Sequence, residues 1–302
     1  MSIVVVGSIG IDFVAVADRL PKVGETVLAN GPLYIGPGGK GFNQAAGAAR
    51  LGGDVRFATK TGGGDLGDQA QSFLEAEGLL TDLAKRSEAR NQVALIFVDD
   101  TGRNMISVTP GASADLLPPD VTALGIEPGD ILLAQLEIPL ATVTAAAGHA
   151  KAAGATVLLN PAPAAPLPPE LLELIDIATP NETELSLLTG LPTATTSDVV
   201  AAAERLVSLG VSEVVATIGS KGAIHVDRSG STSYPSLLVD AVDTTGAGDA
   251  FNAGLAVGLS RGLELAEAIQ LGCHAGAYCV TQLGVLDGLA TMDQLEAFVA
   301  AN

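Results

Sequence analysis

Asp130-Ile-Leu-Leu-Ala134, followed by the helical period of Leu140–Ala153 and then by Thr156-Val-Leu-Leu159, is the stretch that decides the fold. Each short apolar run lacks polar alternation, which is how a strand covered on both faces reads. The Ala-rich segment between them is long enough to serve as a crossover. A strand, a helix and a second strand at this spacing form a parallel pair. The same rhythm extends outward in both directions. Residues 3–6, 55–59, 93–98, 175–179, 213–218 and 223–226 are expected as strands, and residues 42–51, 66–77, 183–189, 197–209, 248–260, 263–280 and 292–300 as helices. Asn181-Glu-Thr-Glu184 and Ser197-Asp-Val-Val200 supply polar residues that open two of those helices. The expected class is α/β, a mostly parallel central sheet flanked by helices, with the functional site at its carboxyl edge.

The chain of 302 residues is 48% hydrophobic and 16% charged, so it can bury a large core, and residues 1–302 are expected to form one α/β domain. Aromatic residues make up only 3%, with no Trp, which weighs against surfaces that stack bases. With 15 Lys and Arg against 34 Asp and Glu, the net charge is -19 at pH 7. That field repels polyanions and anionic bilayers, so neither nucleic acid nor membrane is an expected partner. The start, Met1-Ser-Ile-Val-Val-Val-Gly7, has no basic region and too short an apolar run for a signal segment, which gives a cytoplasmic expectation. Cys273 and Cys279 lie six apart in a helical stretch, about 9 Å between Cα atoms, too far for a disulfide. With His274 they lack a second ligand pair at zinc-finger spacing, so both read as buried small residues.

Two stretches, about 12–34 and 91–108, break the alternation. They carry no helical period, are interrupted by Pro21, Gly24 and Gly102, and are expected to pair as a small antiparallel sheet that forms a lid.

Three glycine-rich loops compete as anion sites. Gly62-x-Gly64-x-x-Gly67 matches the dinucleotide fingerprint in spacing and context, but the fingerprint belongs to a first βα turn and here Glu88 precedes the next strand, 93–98, so it reads as a tight turn capped by Asp65. Gly36-Pro-Gly-Gly-Lys-Gly-Phe-Asn43 nearly satisfies the P-loop pattern and fails it because Gly41 follows Lys40 where Ser or Thr should stand. Its glycines and the helix from Phe42 offer backbone N–H groups to a small polar ligand. In Asp243-Thr-Thr-Gly-Ala-Gly-Asp249, Gly246, Ala247 and Gly248 can aim successive N–H groups at one point, and Asp249 stands beside them as a proton acceptor. An ordinary stabilising Asp at a helix N-terminus is the competing reading of that residue.

Gly38-Gly-Lys-Gly-Phe-Asn-Gln-Ala45, Leu136-Glu137-Ile-Pro139, Asn160-Pro-Ala-Pro163, Asn181-Glu-Thr-Glu184 and Asp243-Thr-Thr-Gly-Ala-Gly-Asp249 occur in this order along nearly the whole chain. Together they resemble the ribokinase/PfkB family of carbohydrate kinases. The resemblance implies an ATP-dependent transfer to a primary hydroxyl of a small sugar, with D-ribose to D-ribose 5-phosphate the first candidate. It makes Asp249 the base and Gly246, Ala247 and Gly248 the anion hole. It assigns Asp12, Gly38, Gly39, Lys40, Asn43, Glu137 and Asp249 to the sugar, and Asn181, Thr217, Gly219, Ser220, Gly222 and Gly248 to the nucleotide. Glu184 would organise Mg2+ through water, and Asp243, Thr245, Gln282 and Gly284 would hold K+. A homodimer through the lid is implied as well, with Val14, Val16, Ile96 and Val98 as its apolar residues.

Departures from the family bear on the acceptor. Ribose-specific members typically read Gly-Ser-Ile-Asn-x-Asp at the first strand end, whereas this chain reads Gly7-Ser-Ile-Gly10-Ile-Asp12, so one sugar-binding amide is expected to be missing. Phe42 and Asn91-Gln92 also replace smaller residues. Space beside Gly10 keeps a nucleoside acceptor open, and Lys22, Arg90 and Arg103 on the lid keep a sugar phosphate open. Glu137 disfavours the latter by repulsion. Fructose and 2-keto-3-deoxygluconate are further alternatives, and a sugar-binding protein without catalysis is the non-enzymatic one.

Overall fold

The computed structural model describes residues 1–79, 81, 83–100 and 103–302; Gly102, read from the sequence as a break, lies outside them. The described residues form the strands β1 (Ile3–Val6), β2 (Gly10–Ala17), β3 (Tyr34–Gly38), β4 (Val55–Gly63), β5 (Ala84–Arg90), β6 (Gln92–Asp99), β7 (Asn104–Thr109), β8 (Ile131–Ala134), β9 (Thr156–Leu159), β10 (Ile177–Ala178), β11 (Glu213–Thr217), β12 (Ala223–Asp227) and β13 (Gly230–Tyr234). The main sheet has the order β13-β12-β11-β10-β9-β8-β1-β4-β5. Its pairs from β5 across to β11 are parallel, and β12 and β13 close one edge as antiparallel strands.

Period-two burial builds both cores from the same strands. Ile3, Val5, Ile131, Leu133 and Leu158 face one side, while Val4, Val6, Leu132, Ala134, Val157 and Leu159 face the other. No position of β1 or β8 is left for a polar residue, which is why these runs read as continuously apolar. The helices Lys40–Arg50, Ala247–Ser260 and Leu265–Cys279 cover the first side, and Leu140–Ala153 and Thr196–Ser208 cover the second.

The segments 12–34 and 91–108 fall in a second sheet of order β3-β2-β6-β7. It is mixed, not antiparallel as expected, because β2 and β6 run parallel from Gly10↔Gln92 to Ala17↔Asp99. β5 escaped the sequence reading: Ala-Lys-Arg-Ser-Glu-Ala-Arg has no apolar signal, and its charges suit a sheet edge. β4 runs directly into the helix Gly64–Ala76, whose end is capped by Gly63 without any side-chain bond; Asp65 stands in the first turn and is not the cap. The Gly62 N–H is taken by Asn91 Oδ1 at 2.9 Å, and a Cβ on Gly67 would lie 1.8 Å from the Gly62 carbonyl oxygen, so protein fills this turn.

Candidate active site

The carboxyl ends of β1, β8, β9, β10 and β11 meet the N-termini of two helices. Gly7 leaves β1 and passes Gly41, where a Cβ would stand 2.5 Å from the Ser8 nitrogen, so bare backbone is required for this approach. Gly39, at φ 90°, caps the helix, which begins at Lys40 and not at residue 42. Its first N–H groups, offered to a ligand by the sequence reading, are used internally. Lys40 N donates to Glu137 Oε2 at 2.9 Å, Phe42 N to the Ser8 carbonyl at 2.9 Å, and Gly41 N to Ser8 Oγ at 3.5 Å. Phe42 itself is fully buried in the core and does not line the pocket.

Glu137 Oε2 also accepts from Ser8 Oγ at 2.5 Å and from Gln92 Nε2 at 3.4 Å. Asp12 leans over Gly38, where a Cβ would touch its carboxylate. Burial pushes the Asp12 carboxyl up to about 7, and the charges of Glu137 and Asp249 add to the effect. Three carboxyl groups therefore surround one pocket. Lys40 answers them: Asp249 holds its ammonium above the usual range, burial opposes this, and Glu137 and Glu184 reinforce it.

Asp249 lies in the first turn of Ala247–Ser260 and is 6% exposed. Its Oδ2 accepts from Asn43 Nδ2 and its Oδ1 from Gln44 Nε2, both at 2.9 Å. Gln44 in turn accepts from Gln135 Nε2 at 2.6 Å and donates to Asn160 Oδ1 at 3.1 Å. Asn160 donates to the Thr179 carbonyl, Thr179 Oγ1 to Asn252 Oδ1, and Asn252 Nδ2 to the Gly248 carbonyl. This buried run of polar side chains, each bonded to the next, fixes the carboxylate and the first turn together, with the Gln135 Oε1 at its end left without a partner among the described residues. The sequence reading passed over Gln44, Gln135, Thr179, Asn252 and Ser8 as site residues. A signal existed, since Gln135, Asn160 and Thr179 are each the first polar residue after an apolar strand, at the sheet edge where sites form.

Gly246 caps the Ala247 helix in the left-handed region at φ 82°. Gly248 is exposed, with open space where a Cβ would stand, so its N–H can be reached from the cleft. Asn181, Thr217, Gly219, Ser220, Gly222 and Gly248, the six residues expected at the nucleotide, all line one cleft of about 600 Å³. Its wall from Ser236 to Ala241 and from the Leu265–Cys279 helix carried no sequence motif. Asn181 and Glu184 form a reciprocal cap, each accepting the other's N–H at 2.8 Å. Burial raises the Glu184 carboxyl above the usual range.

Asp243 accepts from Thr245 N at 2.9 Å and from Gly284 N at 3.0 Å. Gly284 thus meets Asp243 through its N–H, and its carbonyl takes the Gly288 N–H. Gln282 lies in the same loop, its N–H on the Cys279 carbonyl at 3.1 Å. Cys273 and Cys279 are buried thiols pushed up to about 12, chiefly by burial. Among the described residues no group of three or more His, Cys, Asp or Glu could hold a metal, and no helix is long and apolar enough to cross a membrane.

A glycine-capped helix end with a buried, doubly hydrogen-bonded carboxylate, beside a polar pocket on a doubly covered parallel sheet, has the make-up of a phosphotransferase of small hydroxylated molecules. Residues 1–292 match the pfkB family carbohydrate kinases, and the chain belongs to that family. It is 38% identical over 302 residues to a ribokinase of Haemophilus influenzae, covering 99% of this chain and 98% of that protein. It is 36% identical over 313 residues to a deoxyribokinase of Salmonella typhimurium, covering the whole of both. The solved structure of Arabidopsis thaliana ribokinase complexed with ribose and ATP superposes with a TM-score of 0.88 at 31% identity, covering 99% of this chain and 98% of that one.

Proposed function

We propose that the protein is an ATP-dependent kinase acting on the primary hydroxyl of a pentose, with D-ribose the first acceptor. The observation that carries the reading is Asp249, gripped at both oxygens by Asn43 and Gln44 in the first turn of the helix that Gly246 caps. Gly246, Ala247 and Gly248 would form the anion hole there, the Ala247 N–H turning to the phosphate from a long 3.4 Å contact with the Thr244 carbonyl. The carboxylate takes the C5 hydroxyl proton as that oxygen attacks the γ-phosphorus in line. The bond to the β-phosphate oxygen breaks, and ADP leaves. Asp12, Gly38, Gly39, Lys40, Asn43 and Glu137 hold the sugar. Asn181, Thr217, Gly219, Ser220 and Gly222 hold the nucleotide.

Glu184 has one oxygen committed to the Asn181 N–H and the other free for a metal's water shell, which suits Mg2+. When bound with the nucleotide, that ion offsets phosphate charge. The Asp243 carboxylate with the Thr245 and Gln282 carbonyls is a hard-oxygen donor set of the class K+ takes, behind the anion hole. The second sheet serves as lid and as the face of a homodimer, in a cytoplasmic enzyme.

Ribose is supported by the ribokinases among the relatives, and 2-deoxyribose by the deoxyribokinase. A nucleoside is disfavoured because Gln92 fills the space beside Gly10. A sugar phosphate is disfavoured because Glu137 lines the pocket and Arg103 is engaged by Asp99. ADP release with ATP, Mg2+ and K+ against ribose, 2-deoxyribose, fructose, fructose 6-phosphate, 2-keto-3-deoxygluconate and adenosine tests the reading. Turnover of a pentose at low KM is expected, and it should fall at least about 100-fold in Asp249→Asn. Preference for adenosine or fructose 6-phosphate overturns the acceptor, and unchanged turnover in Asp249→Asn overturns the base.

A further inference from the structure

The sequence suggested that Gly10 leaves the sugar pocket without an amide. The register of the second sheet puts one back from the opposite strand. Gly10 on β2 pairs with Gln92 on β6. A Cβ on Gly10 would meet Gln92 Cγ at 3.1 Å and Nε2 at 3.3 Å, so the missing side chain is what lets the carboxamide lie across this position. Gln92 is only 2% exposed.

Its two ends are unequally served. Nε2 donates to Glu137 Oε2 at 3.4 Å, on the carboxylate that also takes the Lys40 N–H. Among the described residues Oε1 has no partner, although it is buried. Turning the amide over would set Oε1 against the Glu137 carboxylate, so Glu137 holds the orientation and the carbonyl oxygen is left as an acceptor waiting for a donor. A buried acceptor without a donor is costly, and the donors a bound sugar brings are hydroxyls.

We propose that Gln92 is a specificity-determining residue of the sugar pocket, its carboxamide oxygen accepting from one secondary hydroxyl of the pentose. The proposal rests on the pentose-kinase reading above and goes beyond it by naming the residue that rejects an acceptor lacking that hydroxyl. A site built to bond a hydroxyl discriminates more sharply than an apolar one, because the analogue leaves the buried partner unsatisfied.

The test is steady-state kinetics with ribose, 2-deoxyribose and 3-deoxyribose on the unaltered protein and on Gln92→Met, which keeps chain length and removes donor and acceptor. In the unaltered protein one of the two deoxy sugars should lose about 10- to 100-fold in kcat/KM against ribose. In Gln92→Met that discrimination should fall to about twofold, with the KM for ATP held within about twofold. Identical discrimination in the two proteins overturns the proposal and leaves the pentose reading intact. Absence of turnover on every pentose by the unaltered protein overturns both. Should Gln92→Met fail to fold, Gly10→Ala decides: it displaces the carboxamide without opening a cavity, a partial loss of the same discrimination is expected, and full retention overturns the proposal.

Discussion

Gln44 Nε2 donates to Asp249 Oδ1 at 2.9 Å across 205 residues of chain, and the same amide reaches Asn160 Oδ1 at 3.1 Å. One carboxamide thereby ties the proposed base to the end of β9. With Asn43 on the other oxygen, the carboxylate cannot rotate away from the pocket. Gln44→Leu keeps the volume and removes both donors. It should lower kcat about 10-fold or more with a smaller change in the sugar KM, since orientation of the base matters most in the transition state. Stability should drop by about 1–3 kcal/mol, because Gln135 and Asn160 lose their buried partner. A kcat unchanged in a protein that melts earlier would mean that the network serves folding alone.

Gly246 carries a different constraint. At φ 82° it sits where an L side chain is strained, and a Cβ there would lie 2.7 Å from Val285 Cγ1. Gly246→Ala should tilt the first turn of the Ala247 helix, cutting kcat by about 10-fold or more and stability by about 1–3 kcal/mol. Adding Val285→Ala relieves the clash and leaves the backbone strain, so a partial recovery of kcat is expected. Full recovery would show that packing alone selects glycine here, and no loss in the single variant would remove the anion hole from this turn.

Asp12 links the pocket to pH. Its carboxyl is pushed up from 3.8 to about 7, by burial first and then by Glu137 and Asp249. The folded protein thus binds this proton more tightly than the unfolded chain does. Its contribution to stability falls as pH rises from about 4 to about 7 and stays constant above. Asp12→Asn should therefore melt higher than the unaltered protein at pH 8, and the gap should close toward pH 5. Ionised Asp12 is the better acceptor for sugar hydroxyls, so the sugar KM of the unaltered protein should rise as pH drops below about 7. A KM flat between pH 8 and pH 6 would take Asp12 out of sugar binding.

What could be read in the sequence follows from where each residue's environment is set. β1, β8 and β9 are buried on both faces, so their composition alone announces them. β5 and β13 lie at sheet edges, where water satisfies the side chains and no apolar pattern is needed. The glycine turn before Asp249 was legible because its backbone demands are local. Of the two partners of Asp249, Asn43 was named for the sugar alone, and Gln44 with the amides behind it was not named for the site. Gln44, Asn160 and Asn252 act through contacts between distant segments, and a buried amide in the sequence looks like any other polar residue. The same holds for Gln92: Gly10 reads as a loss until the register of β2 against β6 puts the two side by side.

The second sheet supplies the last prediction. The sequence named Val14, Val16, Ile96 and Val98 as the apolar residues of a dimer face; Val16 is 48% exposed, but Ile96 is buried, and the alternation along β6 turns Leu95 and Phe97 outward at 50% and 41% exposure. Phe97 pairs in register with Met105 of β7, itself 50% exposed, so these three share one face. An exposed apolar strip on a sheet is stabilised by meeting its own copy, which a two-fold axis allows. Light scattering at micromolar concentration should give the mass of a dimer, and Leu95→Ser with Phe97→Ser should give a monomer with a raised sugar KM, since the sheet that carries Asp12 and Gln92 loses its support. A monomeric unaltered protein would show that this face is used for something other than self-association, and a dimer that survives both substitutions would place the interface elsewhere.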